Sequence, residues 1–276
     1  MNVAVLGLGI IGSAWAKNLI ADGHVVRTWN RTPRQFPCEV TSAREAVDGA
    51  DVVIIVVADP PAVSSVLDQI ESVLHSGQTV VQSSTISAKW TIRFAQRVQA
   101  TGADYIDAPF TGSKPAAEAR KTVYYLGGDA AIIARVRPVL EPLSQTILQV
   151  GPIGFASSLK LAMNVNIAGV GLALIESLAI ARRAGIDDDT FFDALKANAS
   201  RSGFSDFKEP KLRERDYSPQ FSVKHMLKDL RLASETAGDL PLVGVPTAVE
   251  LYERGAQAGM AEDDLIGLAR LVDPKA

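Results

Sequence analysis

In the first half of the chain, apolar residues fall into short, nearly continuous runs separated by longer segments of helical period. The runs are Val3 to Leu6, Val25 to Trp29, Val52 to Val57, Thr79 to Gln82, Tyr105 to Asp107, Val123 to Leu126 and Thr146 to Val150. Such runs suit strands buried on both faces, and their alternation with helices builds a largely parallel sheet. Helix starts are legible between them. Ser42 with Glu45 predicts a capping box, and Pro60-Pro61 opens a helix carrying Val63, Val66, Leu67 and Ile70. From Phe155 to Arg183 the pattern becomes one long helix, closed by Gly185, and the remainder of the chain has helix signals without convincing strands. Asp187 to Thr190 caps a later helix, and Pro246 starts another. The expected organisation is an α/β domain over residues 1–154 and an all-α domain over 155–276, joined by a long interdomain helix. That helix is rich in small residues, Ala162, Ala168, Gly169, Gly171 and Ala173, which predicts close packing against other helices or another subunit.

The first unit carries a sharper signal. Between strand Val3 to Leu6 and the helix after it, Gly7, Gly9 and Gly12 fit G-x-G-x-x-G. In that context Gly7 permits a tight turn, Gly9 lets backbone approach a pyrophosphate, and Gly12 lets helix pack closely on strand, with the helix N-terminus facing the phosphates. The α/β domain is therefore expected to be a Rossmann domain. Its candidate cofactor contacts are Gly7, Leu8, Gly9, Ile10, Ile11 and Gly12, with Val57 and Ala58 at the end of the third apolar run. After the second strand, where an acidic residue would bind a ribose 2′-hydroxyl, stand Asn30, Arg31 and Thr32. Arg31 can pair with a 2′-phosphate, and Asn30 and Thr32 can donate to it, so NADP(H) is the expected cofactor.

Composition narrows the alternatives. The chain has 276 residues, 47% hydrophobic and 21% charged, which suits two folded domains and excludes a disordered protein. A net charge of −3 with mixed signs gives no sustained basic surface for nucleic acid, and the charged run at 208–216 reads as a solvated segment. One cysteine and three scattered histidines make no metal-ligand spacing, so no metal is expected. The first strand begins near residue 2, leaving no room for a cleavable leader, and no apolar run reaches about 18 residues without polar interruption. Neither a leader nor a membrane is expected, and the cytoplasm is the expected compartment.

Three constellations carry candidate chemistry. Lys160 lies on the first turns of the long helix among Leu159, Leu161 and Met163, with Asn164 four residues later on the same face. A snorkelling lysine would explain the position alone, but the added amide makes a donor pair suited to a carbonyl that becomes an alkoxide. Phe221 and Lys228, two helical turns apart, share a face, with Asp229 turned aside by roughly 100°. Met226, Leu227, Leu230 and Leu232 form the apolar side of the same helix. Finally, Asp107 to Arg120 comes after a strand, and its Thr111, Gly112 and Ser113 offer amides and hydroxyls to a substrate carboxylate.

GLGIIG, DAPFTGS, GFASSLKLAMN and KDLRLA, in that order, resemble the β-hydroxyacid dehydrogenase family over essentially the whole chain. The resemblance implies a Rossmann domain followed by an all-helical domain. It implies that Lys160 is the catalytic lysine and Asn164 its polar companion, and that Thr111 stands where the substrate loop has serine. Lys228 would then close over the nicotinamide, and Ser84-Thr85 would lie beside the nicotinamide ribose. NRT, the Gly-Ser-Lys loop, and Phe221 ahead of Asp229 are similar to the glyoxylate and succinic semialdehyde reductase branch, where that phenylalanine and aspartate line the active site. The implied activity is NADPH-dependent reduction of a small carboxylate-bearing aldehyde or ketone, reversible with the hydroxy acid, in a homodimer or homotetramer. Imine reduction is the enzymatic alternative, and a nucleotide-sensing or chromatin-binding relative without chemistry is the other.

Overall fold

The computed structural model describes residues 1–273, and the chain separates into two compact units, Met1–Lys160 and Leu161 onward. The first unit contains β1 (Asn2–Leu6), α1 (Ile10–Ala21), β2 (Val25–Trp29), α2 (Ala43–Val47), β3 (Val52–Ile55), α3 (Pro60–Ile70), β4 (Thr79–Gln82), α4 (Ala88–Gln99) and β5 (Asp104–Asp107). It continues with β6 (Phe110–Thr111), α5 (Lys114–Glu118), β7 (Thr122–Gly127), α6 (Ala130–Leu140) and β8 (Ser144–Gly151). The division falls inside α7 (Phe155–Arg183) rather than at its start, so the first turns of that helix belong with the sheet. The second unit adds α8 (Asp188–Ala197), α9 (Gly203–Glu214), α10 (Val223–Ala237), α11 (Gly244–Gly255) and α12 (Ala269–Val272).

Strand order in the sheet is β2-β1-β3-β4-β5-β7-β6, with β8 on β7. The five strands β1 to β5 are parallel, while β7 runs antiparallel to β5 and β6. Register aligns their carboxyl ends: Leu6 stands opposite Trp29 and Ile55, Ile55 opposite Gln82, and Gln82 opposite Asp107. Alternate residues divide between the faces. Val3, Val5, Val52, Ile54, Val81 and Ile106 pack against Trp15 and Leu19 of α1 and Val136 of α6. Ala4, Leu6, Val53, Ile55 and Val80 pack against Val63, Leu67 and Ile70 of α3 and Phe94 of α4. Burying each large side chain of this kind contributes roughly 1.5–3 kcal/mol.

Local pairing shifts some element bounds. β3 stops at Ile55 rather than Val57, because the Val57 amide leaves the ladder and donates to the Ser84 hydroxyl at 2.8 Å. The short strand β6 has no apolar run to mark it. Ser42 Oγ does accept from the Glu45 amide, but the Glu45 carboxylate reaches Thr41 rather than closing a capping box.

In the helical unit, Ala168, Leu174, Ile175 and Leu178 of α7 pack with Phe192, Leu212, Met226, Leu230, Ala248 and Tyr252. A Cβ on Gly171 would meet Leu265 at 3.2 Å, so this small residue serves close packing within the unit. Ala162, Gly169 and Ala173 lie exposed in the single chain, so within it they pack on no other helix. By length and mean hydropathy α7 could cross a membrane, although Lys160, Asn164 and Asn166 interrupt it. α11 begins at Gly244, ahead of Pro246, which sits in the first turn where a missing N–H breaks no helical bond.

The largest departure concerns the charged run. Lys208 and Lys211 are buried, not solvated. Lys208 Nζ lies 2.8 Å from both carboxylate oxygens of Asp264 and 3.0 Å from Gln220 Oε1, and it sits 5.1 Å from the centre of the Phe207 ring. Asp264 also accepts from the amides of Gln220 (2.9 Å) and Phe221 (3.3 Å). Removing one partner would strand a buried charge. Lys208→Ala should therefore lower the unfolding free energy by about 3–5 kcal/mol, and Lys208→Met with Asp264→Leu should recover only part of it, because the Gln220 and Phe221 amides lose their acceptor. Urea denaturation of the three proteins checks this, and a loss below about 1 kcal/mol for the single variant would mean that the pair is dispensable.

Candidate active site

The aligned strand ends bring five segments to one edge of the sheet: residues 7–12, 30–32, 56–58, 83–85 and 108–113. In the glycine turn each glycine has a separate reason. Gly7 adopts φ +112°, and a Cβ there would lie 2.2 Å from the Val56 carbonyl oxygen. A Cβ on Gly12 would lie 1.9 Å from the Gly7 carbonyl oxygen, so α1 can seat against the turn only with glycine here. A Cβ on Gly9 would meet nothing within 4 Å; its smallness serves no neighbour in the protein and leaves room for a ligand. No side chain caps α1, and its first turn holds no acidic residue. The amides of that turn suit a phosphate, so the cradle fits a dinucleotide.

Asn30 and Ser84, both expected contacts, also brace the turn from within. Asn30 Oδ1 accepts from the Leu8 amide at 2.9 Å and its Nδ2 donates to the Thr32 carbonyl at 2.6 Å, which locks the loop after β2 to the glycine turn. The Leu8 side chain lies in the core, so neither its amide nor its side chain faces outward. Arg31 and Thr32 are exposed at that loop. Ser84 is buried and accepts from Val57, tying the ends of β3 and β4. Gln82, which carries no motif signal in the sequence, holds Ser84 at both main-chain atoms: Oε1 accepts from its amide (2.6 Å) and Nε2 donates to its carbonyl (3.0 Å). Thr85 and Val57 are half-buried and Ala58 exposed beside it.

Thr111 is not part of a loop; it pairs with Val123 in the β6–β7 ladder, so its hydroxyl is the group it can offer. Gly112 comes next at φ +138° and Ser113 stands ahead of α5 without capping it. Asp107, equally unmarked as a site residue in the sequence, is fully buried and accepts from the amides of Gly154 (3.1 Å) and Ser157 (2.9 Å) and from Ser157 Oγ (2.7 Å). Burial pushes its carboxyl up to about 6 against the pull of these donors. One turn further along α7, Lys160 is 8% exposed.

In the second unit Asn164, on the face of α7 that carries Lys160, is 1% exposed. Its Nδ2 donates to Asp229 Oδ2 at 2.6 Å, and Lys228 Nζ lies 2.8 Å from Asp229 Oδ1. That bond uses one of the two hydrogens on the Asn164 amide. Its Oδ1 is a buried acceptor with no partner among the described residues. Asp229, the next residue on α10, is turned aside as expected, and its side chain is nonetheless joined to that of Lys228. Phe221 does not share a helical face with Lys228, because α10 starts at Val223, after Ser222. Instead the Phe221 ring stacks on His225, 6.4 Å between centroids and 8° between planes, and His225 Nδ1 lies 2.7 Å from Ser222 Oγ. Burial, Lys228 and Lys224 hold the His225 imidazole below its ordinary pKa.

A phosphate-cradling sheet edge, followed by a helical unit that continues the lysine-bearing helix, defines a dinucleotide-dependent oxidoreductase. The family emerges from comparison. Residues 2–151 match the model described as the NAD binding domain of 6-phosphogluconate dehydrogenase, and residues 154–272 that described as the NAD-binding of NADP-dependent 3-hydroxyisobutyrate dehydrogenase. The chain belongs to the NAD(P)-dependent β-hydroxyacid dehydrogenase family. It is 28% identical to glyoxylate/succinic semialdehyde reductase 1 of Arabidopsis thaliana, over 99% of this chain and 98% of that one. It is 30% identical to 2-hydroxy-3-oxopropionate reductase of Escherichia coli, over 99% and 97%. The solved 3-hydroxyisobutyrate dehydrogenase of Mycobacterium tuberculosis with L-serine superposes at a TM-score of 0.88, 27% identity, covering 99% of each chain. An imine reductase from Bacillus cereus shares the fold at a TM-score of 0.62 and 23% identity.

The glycine geometry separates two variants. Gly9→Ala should fold with an unchanged melting temperature yet bind NADPH at least about tenfold more weakly, since its methyl occupies only ligand space. Gly12→Ala should lose stability before any question of ligand arises, since its methyl would overlap backbone. Melting curves and fluorescence titration read both; wild-type NADPH affinity in Gly9→Ala would move the pyrophosphate away from this turn.

Proposed function

We propose that this protein is an NADP(H)-dependent reductase of a small carboxylate-bearing aldehyde or ketone, acting reversibly with the corresponding hydroxy acid. The observation that carries the reading is a buried lysine and a buried asparagine one turn apart on α7. When bound, NADPH supplies a hydride from nicotinamide C4 to the carbonyl carbon. Lys160, as ammonium, stabilises the oxygen as charge develops and gives it a proton. Asn164 Oδ1 accepts from a donor of the substrate or from the ammonium. The Thr111 hydroxyl with Gly112 and Ser113 holds the carboxylate, and Lys228 with Phe221 excludes water. Asp229 holds both Asn164 and Lys228, so it orients the substrate-facing groups without touching the carbonyl. Arg31 pairs with the 2′-phosphate, while Gly7 to Gly12, Thr32, Val57, Ala58, Ser84 and Thr85 shape the rest of the cofactor's seat. Relatives named as reductases of glyoxylate, succinic semialdehyde and 2-hydroxy-3-oxopropionate support the substrate class.

The test compares succinic semialdehyde with butanal, and glyoxylate with acetaldehyde, under NADPH and under NADH. Each acid should exceed its neutral partner in kcat/KM by on the order of 10–100-fold, the worth of one or two charge-assisted hydrogen bonds. NADPH should be preferred, and Arg31→Ala should erase that preference by weakening NADPH alone. Lys160→Ala should cut turnover by about 10²–10⁴-fold with NADPH affinity retained. Comparable values for acid and neutral aldehydes would remove the hydroxy-acid reading, and faster turnover of a cyclic imine would replace it.

A further inference from the structure

We propose that Asp107 is the positioning residue for Lys160, holding the first turn of α7 at a fixed height and rotation. The inference rests on the reading that Lys160 delivers the proton. α7 has no cap of its own: it is preceded by Gly154, at φ +97°, which has no side chain to offer. The orphan amides at its start are satisfied by a carboxylate from β5, fifty residues away in sequence, that accepts from the Gly154 amide at 3.1 Å and the Ser157 amide at 2.9 Å. Capping alone would need no more. Asp107 also accepts a hydrogen bond from the Ser157 hydroxyl at 2.7 Å, so in the 2.8 Å contact between Ser157 Oγ and Thr91 Oγ1 the threonine donates. Residue 157 is thereby gripped through main chain and side chain together, from β5 and from α4.

That grip matters because Lys160 is the next turn. Its ammonium extends roughly 8 Å from the helix axis, so a rotation of α7 by about 20° would swing it by about 3 Å. Displacements of about 1 Å from productive geometry already cost on the order of 10²-fold in rate. The arrangement is also held against a penalty. Burial raises the Asp107 carboxyl to about 6, and the Tyr105 phenol on the same face of β5 is pushed up by burial and by the charge of Asp107. A buried charge that disfavours folding is expected where its strength as an acceptor is needed.

The test uses Asp107→Asn, Asp107→Ala and Ser157→Ala in the full chain, assayed well below each melting temperature. Asp107→Asn should lower kcat by about 10–100-fold and Ser157→Ala by about 3–10-fold, with KM for the aldehyde and NADPH affinity within about twofold of wild type. Asparagine keeps part of the acceptor capacity, so it should rescue kcat relative to alanine. A second readout needs no turnover: trapping Lys160 with pyridoxal phosphate and borohydride, located by mass spectrometry, should proceed at a rate changed by at least about threefold. Near-wild-type kcat and an unchanged trapping rate, whatever the melting temperature, would reduce Asp107 to a helix cap and overturn the proposal. Should wild type reduce none of the aldehydes, the trapping rate alone decides: a changed rate sustains the positioning role while the reductase reading falls, and an unchanged rate overturns both.

Discussion

Strands β1 to β5 end on one row of residues, Leu6, Trp29, Ile55, Gln82 and Asp107, and every candidate contact in the first unit hangs from that row. A slip of one residue in any pair would turn the strand's apolar set to the opposite face and move its loop by about 3.3 Å. The register is held because both faces of the sheet are filled by helices, leaving no side on which a misaligned strand could lose its side chains to water. The row also explains why a turn, a basic loop and two short connections distant in sequence can address a single extended ligand.

Buried carboxylates do the corresponding work for the helices. Asp107 grips the start of α7, which carries Lys160. Asp264, paired with Lys208, accepts from the amides of Gln220 and Phe221 just ahead of α10, which carries Lys228. In each case the acceptor comes from a remote part of the chain, and the helix start is fixed by a charge rather than by its own cap. Asp229 then joins Lys228 to Asn164. Charge here serves orientation, since surface pairs of the same residue types would contribute little.

Features legible in the sequence are those written locally. Strand runs, the glycine turn and the extent of α7 depend on neighbouring residues, and Phe155–Arg183 has the expected bounds. Long-range pairing is invisible there. Lys208 looks like part of a solvated run because its partner Asp264 lies 56 residues away. Nothing local in the sequence shows that Asp229, 65 residues on, accepts from the Asn164 amide. Spacing alone puts Phe221 on a helical face, whereas Ser222 marks where α10 has yet to begin. Asp107 and Gln82 are inconspicuous because a strand's last residue reads as the end of an apolar run, although its side chain can brace the segments that follow.

Asn30 shows how narrow one of these margins is. Its two amide atoms bridge the Leu8 N–H and the Thr32 carbonyl, imitating a peptide group where no strand continues. An aspartate differs from it by one atom, yet could serve only the first of those partners and would set a negative charge beside Arg31. Deamidation, the ordinary ageing reaction of asparagine, would make that substitution without any mutation. An old molecule would then carry, at the end of β2, the acidic side chain that elsewhere greets a bare ribose hydroxyl. The order of that loop would decline on the timescale of protein lifetime rather than of evolution.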